Sequence, residues 1–432
     1  MTKSRTQPSP RRGAGTPSPA APLQRSVGAI TRWAFFVFMA TLPFDVVVPQ
    51  WLPEVLQSRL SIPRVAGILL LGCCVLDPTL RPWKIPKVTY GFAAFIVVFF
   101  FRMFGEDLAH SVQLVQMLVL FVICYNLFMA GTITGKALLV YSVSCGAVVL
   151  MVLSGQTVDV EAAGEMGGRY SAFGMDPNHY AEMLGFALLF VIGITHIRKA
   201  RSVLGLPVMW PLAILLLFGI ARSGSRGTSL GVMVGLAALV LRQGSILVRA
   251  GGLALVSMIG LITIWQFSKS EVLVERWTTS IETGSTSSRR EIAEVALPMI
   301  WERPVLGWGP DAKTEVGVRM GLPRIMAAHN AYLQILLFVG LAGAIPYYWS
   351  YFTVVRAAWL ARRGVEDILP FAVFTAMLVF DLACGGLPGK FHWTIFAYQL
   401  AAGHLVARSA RNHNARPRPV AGATLRLRPS SG

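Results

Sequence analysis

The chain has 432 residues, 54% of them hydrophobic and only 14% charged, and a net charge of +18, with a mean hydropathy of +0.58. Soluble domains average about 45–50% apolar and ~25% charged residues, so an ordinary water-soluble enzyme is excluded, as is disorder over most of the length. The charge does not indicate a nucleic-acid partner, because twelve of the excess cations lie in residues 1–32 and 404–432, two stretches without a single acid.

Residues 1–26 are rich in Pro, Ser and Arg and read as a disordered basic leader on the cytoplasmic side. They hold no apolar core and so do not form a signal peptide. A helix needs about 17–25 apolar residues to cross a hydrocarbon core of ~30 Å. Such runs fall at about 27–42, 62–76, 88–104, 112–130, 136–154, 179–195, 207–221, 228–241, 247–267, 331–355, 368–383 and 391–407. The expected fold is an all-α polytopic membrane protein of about twelve transmembrane helices, nine within 27–267 and three within 331–407, followed by a basic tail over 408–432. Cys73, Cys74, Cys124 and Cys145 lie inside apolar runs and only Cys384 is near a loop. They read as small buried hydrophobes and not as a disulfide framework.

Charge sets the orientation. With a cytoplasmic N-terminus, the inner loops and tails carry 24 basic and three acidic residues, whereas the outer loops carry 13 basic and 16 acidic. An excess of Lys and Arg marks the cytoplasmic side, so both termini are expected inside. The outer segment 268–330 is far longer than a typical connection and is balanced at eight charges of each sign. Within it, Ile292, Val295, Ala296, Met299 and Ile300 keep helical spacing, which predicts a helical periplasmic cap. A second outer loop, 155–178, ends in Asp176-Pro177-Asn178, a turn that opens the next helix. No internal repeat of the inverted-transporter kind is evident.

Arginines collect on the outer side, against the cytoplasmic bias: Arg169, Arg222, Arg226, Arg289, Arg290, Arg303, Arg319 and Arg324. Guanidinium grips phosphate through two parallel donors, and the glycine beside Arg226 lets backbone approach a ligand. A solvated or headgroup-facing arginine is the bland alternative. His329-Asn330 sits directly ahead of an apolar helix, where imidazole suits general-base work on a hydroxyl, although a lone loop His is more often structural. Asp45 in the first outer loop, near Glu54, competes for the base role. Glu182 and Asp381 fall within apolar runs and must face the bundle interior, paired or at a water cavity, and His392 is left open. No two carboxylates or histidines share a ligand spacing on the outer side, so no metal is expected.

Ala328-His329-Asn330-Ala331-Tyr332-Leu333-Gln334, followed by Gly340-Leu341-Ala342-Gly343, closely resembles the signature of the O-antigen ligase and polymerase superfamily. Ser223-Gly224-Ser225-Arg226-Gly227 is similar to its Ser-Arg-Gly turn. Arg289 through Ala296-Leu297, with Pro304-Val305-Leu306-Gly307-Trp308-Gly309, resembles the block that opens its large periplasmic loop, and Arg169 with Pro177-Asn178 resembles a fourth, weaker block. The likeness runs from about 165 to 345. One departure is that Phe338 stands where many members carry Glu, nine residues after the His.

The resemblance implies a metal-independent, inverting transferase of the GT-C-like membrane type, in the bacterial inner membrane, with its active site facing the periplasm and no cofactor. The donor would be a glycan on undecaprenyl diphosphate and the acceptor a sugar hydroxyl of lipid A-core or of another glycan, with membrane lipids around the protein. Arg226 and Arg289 would hold the diphosphate, with Arg222 and Arg169 as further candidates. His329 would deprotonate or orient the acceptor, and Asn330 and Asn178 would support the site. Polymerisation of O-antigen or exopolysaccharide units stays open beside ligation. Transfer to a protein Ser or Thr would need C-terminal loop sequence that is missing here. A transporter of an anionic lipid-linked substrate is the alternative of a different class, and it predicts charges inside the helices.

Overall fold

A computed structural model describes residues 26–47, 61–103, 108–156, 170–197, 209–242, 246–268, 288–322, 326–383 and 389–414. Among them the chain is all-helical, with fourteen α-helices. The first nine are α1 Ala29–Thr41, α2 Ile62–Leu76, α3 Val88–Met103, α4 Leu108–Phe128, α5 Thr134–Leu153, α6 Pro177–Ile197, α7 Trp210–Ser223, α8 Arg226–Leu241 and α9 Ile246–Ser268. They are followed by α10 Ser288–Glu302, α11 Ala312–Arg319, α12 Ala331–Ala361, α13 Leu369–Asp381 and α14 Lys390–Asn414.

All twelve apolar runs fall on helices, and the helix expected near 288–303 is α10. Four helices, within His110–Phe128, Thr134–Leu153, Pro177–Thr195 and Ala331–Ala361, are long and apolar enough to cross a membrane, and six shorter ones are predominantly apolar. Their outward surfaces expose Ile68, Leu69, Phe101, Leu150, Ile214 and Phe352, an apolar coat suited to hydrocarbon and not to water. One boundary differs from expectation. The last helix runs to Asn414, past the expected start of a tail at 408, because Ala407 to Arg411 continues in good helix formers. The leader to residue 25 and the end from 415 lie outside the described residues.

The bundle is built by close pairing. α12 lies along α3 and α14, α8 along α13, and α6 against α5 and α7. Small residues permit this approach where no hydrophobic drive exists between helices in lipid. On α8, a Cβ at Gly231 or Gly235 would stand 3.0 Å from the carbonyl oxygens of Ala376 and Ala372 on α13. Aromatic rings fill the centre, with Phe92 of α3 meeting Trp393 of α14 at 4.8 Å and Tyr347 of α12 at 5.7 Å. The carboxylates of Glu182 and Asp381 are buried, as their position in apolar runs requires.

Candidate functional site

The turn between α7 and α8 is built from its own sequence. Gly224 takes φ +64 and ends α7, and Ser225 caps α8 by accepting the N–H of Thr228 at 3.4 Å. Arg226 is thereby the first residue of α8 and is exposed. The Ser225 hydroxyl donates to Oδ1 of Asn178 at 3.0 Å, which ties this turn to the start of α6. Next to Asn178, Asp176 Oδ1 accepts the backbone N–H groups of Asn178 (2.7 Å) and His179 (3.3 Å), the usual way an acidic side chain satisfies a helix start. Arg222, also exposed, stacks 4.0 Å from the centre of the Tyr170 ring and takes the N–H of Tyr170 on its carbonyl. Its fork is thus partly committed to packing.

His329 sits one residue before the cap of α12. Asn330 supplies the cap, its Oδ1 accepting the N–H groups of Tyr332 (2.9 Å) and Leu333 (3.2 Å). Buried Gln334 reaches back from the first turn of α12 and accepts the N–H of Ala328 at 2.8 Å. Between these anchors His329 is held at φ +46, a region uncommon for residues other than Gly. The helix is therefore capped without the imidazole, which leaves it available to a ligand. Burial holds its pKa below the ordinary value, the Arg289 guanidinium lowers it further, and the Asp176 carboxylate works in the opposite sense. Arg289 on α10 and Asp176 at the start of α6 thus both act on His329 at the start of α12, and the Asn178–Ser225 bond ties the start of α6 to the turn that carries Arg226. Asp176 is the member that residue pattern marked only as a turn former. The signal was available in its position beside Pro177-Asn178, but its partner is 153 residues away.

The Pro304–Gly309 segment docks into a break of α12. Gly340 has φ 56 and ψ −161 within the helix. There the N–H groups of Leu341 and Ala342 donate to the carbonyls of Pro304 (2.8 Å) and Val305 (2.9 Å), while Trp308 donates to Leu337 (2.7 Å). Phe338, standing where a Glu would help the His, packs against Phe99 at 6.1 Å with the Lys313 ammonium 5.6 Å from its ring centre. No carboxylate acts from that position.

The other arginines separate by partner. Arg290 pairs with Glu294 at 2.8 Å. Arg303 stacks 3.9 Å over Trp308, and Arg319 clasps Glu302 with two bonds of 2.6 and 2.8 Å and Glu315 with one of 2.7 Å. Arg289 makes no hydrogen bond or ion pair among the described residues. Arg169 and Arg324 lie outside the described residues. Asp45, the competing base, is held by Lys390 and accepts from Ser61 at 3.3 Å. Its carboxylate is thus already engaged by an ammonium and a hydroxyl. Among the described residues, the grouping with ligand-like spacing is Glu182, Asp381 and His392, drawn from three helices and so invisible as a sequence motif.

The family model described as O-Antigen ligase matches residues 211–348. Over that stretch the chain is similar to the O-antigen ligase family, and the matched span holds Arg222, Arg226, Arg289, His329 and the Gly340–Gly343 turn. No curated protein sequence matches the chain.

Proposed function

We propose that the chain is a glycosyltransferase that moves a glycan from undecaprenyl diphosphate to a sugar hydroxyl, lipid A-core being the acceptor, on the periplasmic face of the bacterial inner membrane. The observation that carries this reading is a half-buried His329 whose helix is already capped by Asn330 and whose imidazole feels the charges of Arg289 and Asp176. A neutral imidazole beside a cation is a proton acceptor next to an anion site.

In the proposed step the acceptor hydroxyl oxygen attacks the anomeric carbon of the donor sugar. The new C–O bond forms on the face opposite the breaking C–O bond to the diphosphate, so configuration inverts. The hydroxyl proton passes to His329, and the bonding pair leaves with undecaprenyl diphosphate. Arg226 and Arg289 hold that diphosphate and oppose the charge developing on it. Arg222 and Arg169 stand as additional anion contacts, and Asn178 and Asn330 keep the two helix starts in place. Guanidinium groups supply the positive charge at the diphosphate, so transfer proceeds without a metal bound there. The chain is expected to cross the membrane twelve times, with both termini cytoplasmic, residues 268–330 periplasmic and three helices after them.

The test is transfer by the purified full chain in nanodiscs, given an undecaprenyl-diphosphate glycan and lipid A-core. Glycan attached to lipid A-core supports ligation. Longer chains retained on undecaprenyl diphosphate would instead assign polymerisation, and no new glycosidic bond with either acceptor would sink the reading. Net transport of intact donor across the bilayer would assign the transporter role.

A further inference from the structure

Two carboxylates and an imidazole meet inside the bundle. Glu182 stands on α6, Asp381 ends α13 and His392 lies in the first turn of α14, and they are 2%, 4% and 5% exposed. Nε2 of His392 is 2.9 Å from Oε1 of Glu182 and 3.3 Å from Oδ1 of Asp381. Neither ring nitrogen of His392 nevertheless makes a hydrogen bond. One potential ligand atom from each of the three residues lies within 4.8 Å of the others.

Charge and spacing both bear on what this cluster holds. Two ionised carboxylates in one buried site repel each other and are costly away from water. The His392 imidazolium offsets only one of them, and the second imidazole near the cluster, His179, is 44% exposed and 3.5 Å from Glu182, whereas a divalent cation with two carboxylates and a neutral His392 sums to zero. Ligand atoms bound at about 2.0–2.1 Å stand about 2.9 Å apart at a right angle and about 3.3 Å apart at a tetrahedral angle, which are the two separations found here. Atoms sharing an ion flank the ring nitrogen and do not lie on its N–H axis, so close approach without hydrogen-bond alignment is the expected pattern.

We propose that Glu182, Asp381 and His392 bind one first-row divalent cation of the zinc or manganese class, the class that mixed imidazole and carboxylate ligands suit. Each ligand comes from a different helix, so the ion fastens α6, α13 and α14 together. The second oxygen of Asp381 accepts from the Tyr351 hydroxyl at 3.2 Å, and Tyr351 meets Tyr332 at 3.1 Å. That relay orients the ligand and ends two residues from Asn330. His179, 44% exposed and 3.5 Å from Oε2 of Glu182, links the cluster to the exterior. The ion lies among buried side chains and takes no part in binding the diphosphate.

The full chain, purified in detergent after chelator treatment, is dialysed against Zn²⁺ and its metal content measured. One Zn²⁺ per chain and a raised melting temperature are expected, with uptake falling to background in Glu182→Gln, Asp381→Asn and His392→Ala. Pulsed electron paramagnetic resonance of the Mn²⁺-loaded wild type reads the ligands directly and depends on no variant folding. It should detect one coordinated imidazole nitrogen. A wild type without stoichiometric uptake, whose cluster is then a proton-bridged ion triad, overturns the proposal. So does a bound ion that carries no imidazole nitrogen, or one that all three variants retain.

Discussion

The backbone N–H of Trp308 donates to the carbonyl of Leu337 at 2.7 Å, which seats the turn after α10 inside the break of α12. At the break the two backbones touch. A Cβ on Gly307 would stand 2.6 Å from the Leu337 oxygen, and one on Gly340 would collide with the Val305 carbonyl. Both residues have positive φ, +66 and +56. Left-handed backbone costs an L-residue about 1–2 kcal/mol, and forcing atoms into a filled space adds roughly 1–3 kcal/mol. Gly321 has φ +70 with open space around its Cβ, and so isolates the backbone part. Gly307→Ala and Gly340→Ala are expected to lower thermal stability in detergent clearly more than Gly321→Ala. Equal losses at all three would show that the docked turn yields freely.

The proposed diphosphate contacts are testable through geometry. Lys keeps the charge of Arg but not its two parallel donors. A charge-assisted hydrogen bond is worth about 1.5–3 kcal/mol, so Arg226→Lys and Arg289→Lys should each lose about 10- to 100-fold in transfer rate at equal membrane abundance. Arg319→Lys is the control, since that fork is spent on Glu302 and Glu315. It should change stability and leave donor use intact. Normal transfer by both Lys variants would remove Arg226 and Arg289 from the anion site.

Orientation is checked by labelling in a chain stripped of native cysteines. Val318 on α11 and Val365 after α12 are 63% and 85% exposed, so accessibility alone does not separate them. Val318→Cys should react with a membrane-impermeant thiol reagent in intact spheroplasts, and Val365→Cys only after lysis. The reverse result would invert the twelve-span arrangement drawn from loop charge.

Apolar runs made the helices legible because burial in lipid demands length and continuity, which sequence records directly. α11 escaped notice because it has eight residues, Ala312–Arg319, of mixed polarity, too short for periodicity to declare. The continuous reading of 331–355 hid the break at Gly340, whose cause is a loop some thirty residues earlier in the chain. Arg226, Arg289 and His329 could be nominated from residue chemistry and motif likeness. Their neighbours could not. Lys390 on Asp45, Asp176 acting on His329, and the Glu182–Asp381–His392 cluster join residues from separate helices, and no spacing rule connects them.

His329 carries the last prediction, which is a pH profile. Burial and Arg289 hold its pKa below the ordinary value near 6.5, so the neutral, proton-accepting form persists to lower pH than it would in a free imidazole. Transfer should therefore be flat near neutrality and fall as pH drops through a midpoint below 6.5. The unfolded chain takes up this proton at higher pH than the folded one, so folding stability should weaken over the same acid window. Neighbouring charges set the midpoint. Arg289→Gln removes a cation and should raise it in whatever transfer remains, whereas Asp176→Asn removes the opposing carboxylate, keeps a capping side chain and should lower it. General-base assistance is worth typically 10²–10⁴-fold, so His329→Ala should lose about that much while membrane insertion and donor binding persist. His329→Gln, which accepts a hydrogen bond but not a full proton, should recover little. Asn330 and Gln334 already anchor the helix start, so neither variant should melt it. Asp45→Asn, measured beside them, should keep the acid limb in place, because Lys390 occupies that carboxylate. A tolerated His329→Gln with an inactive Asp45→Asn would move the base to Asp45.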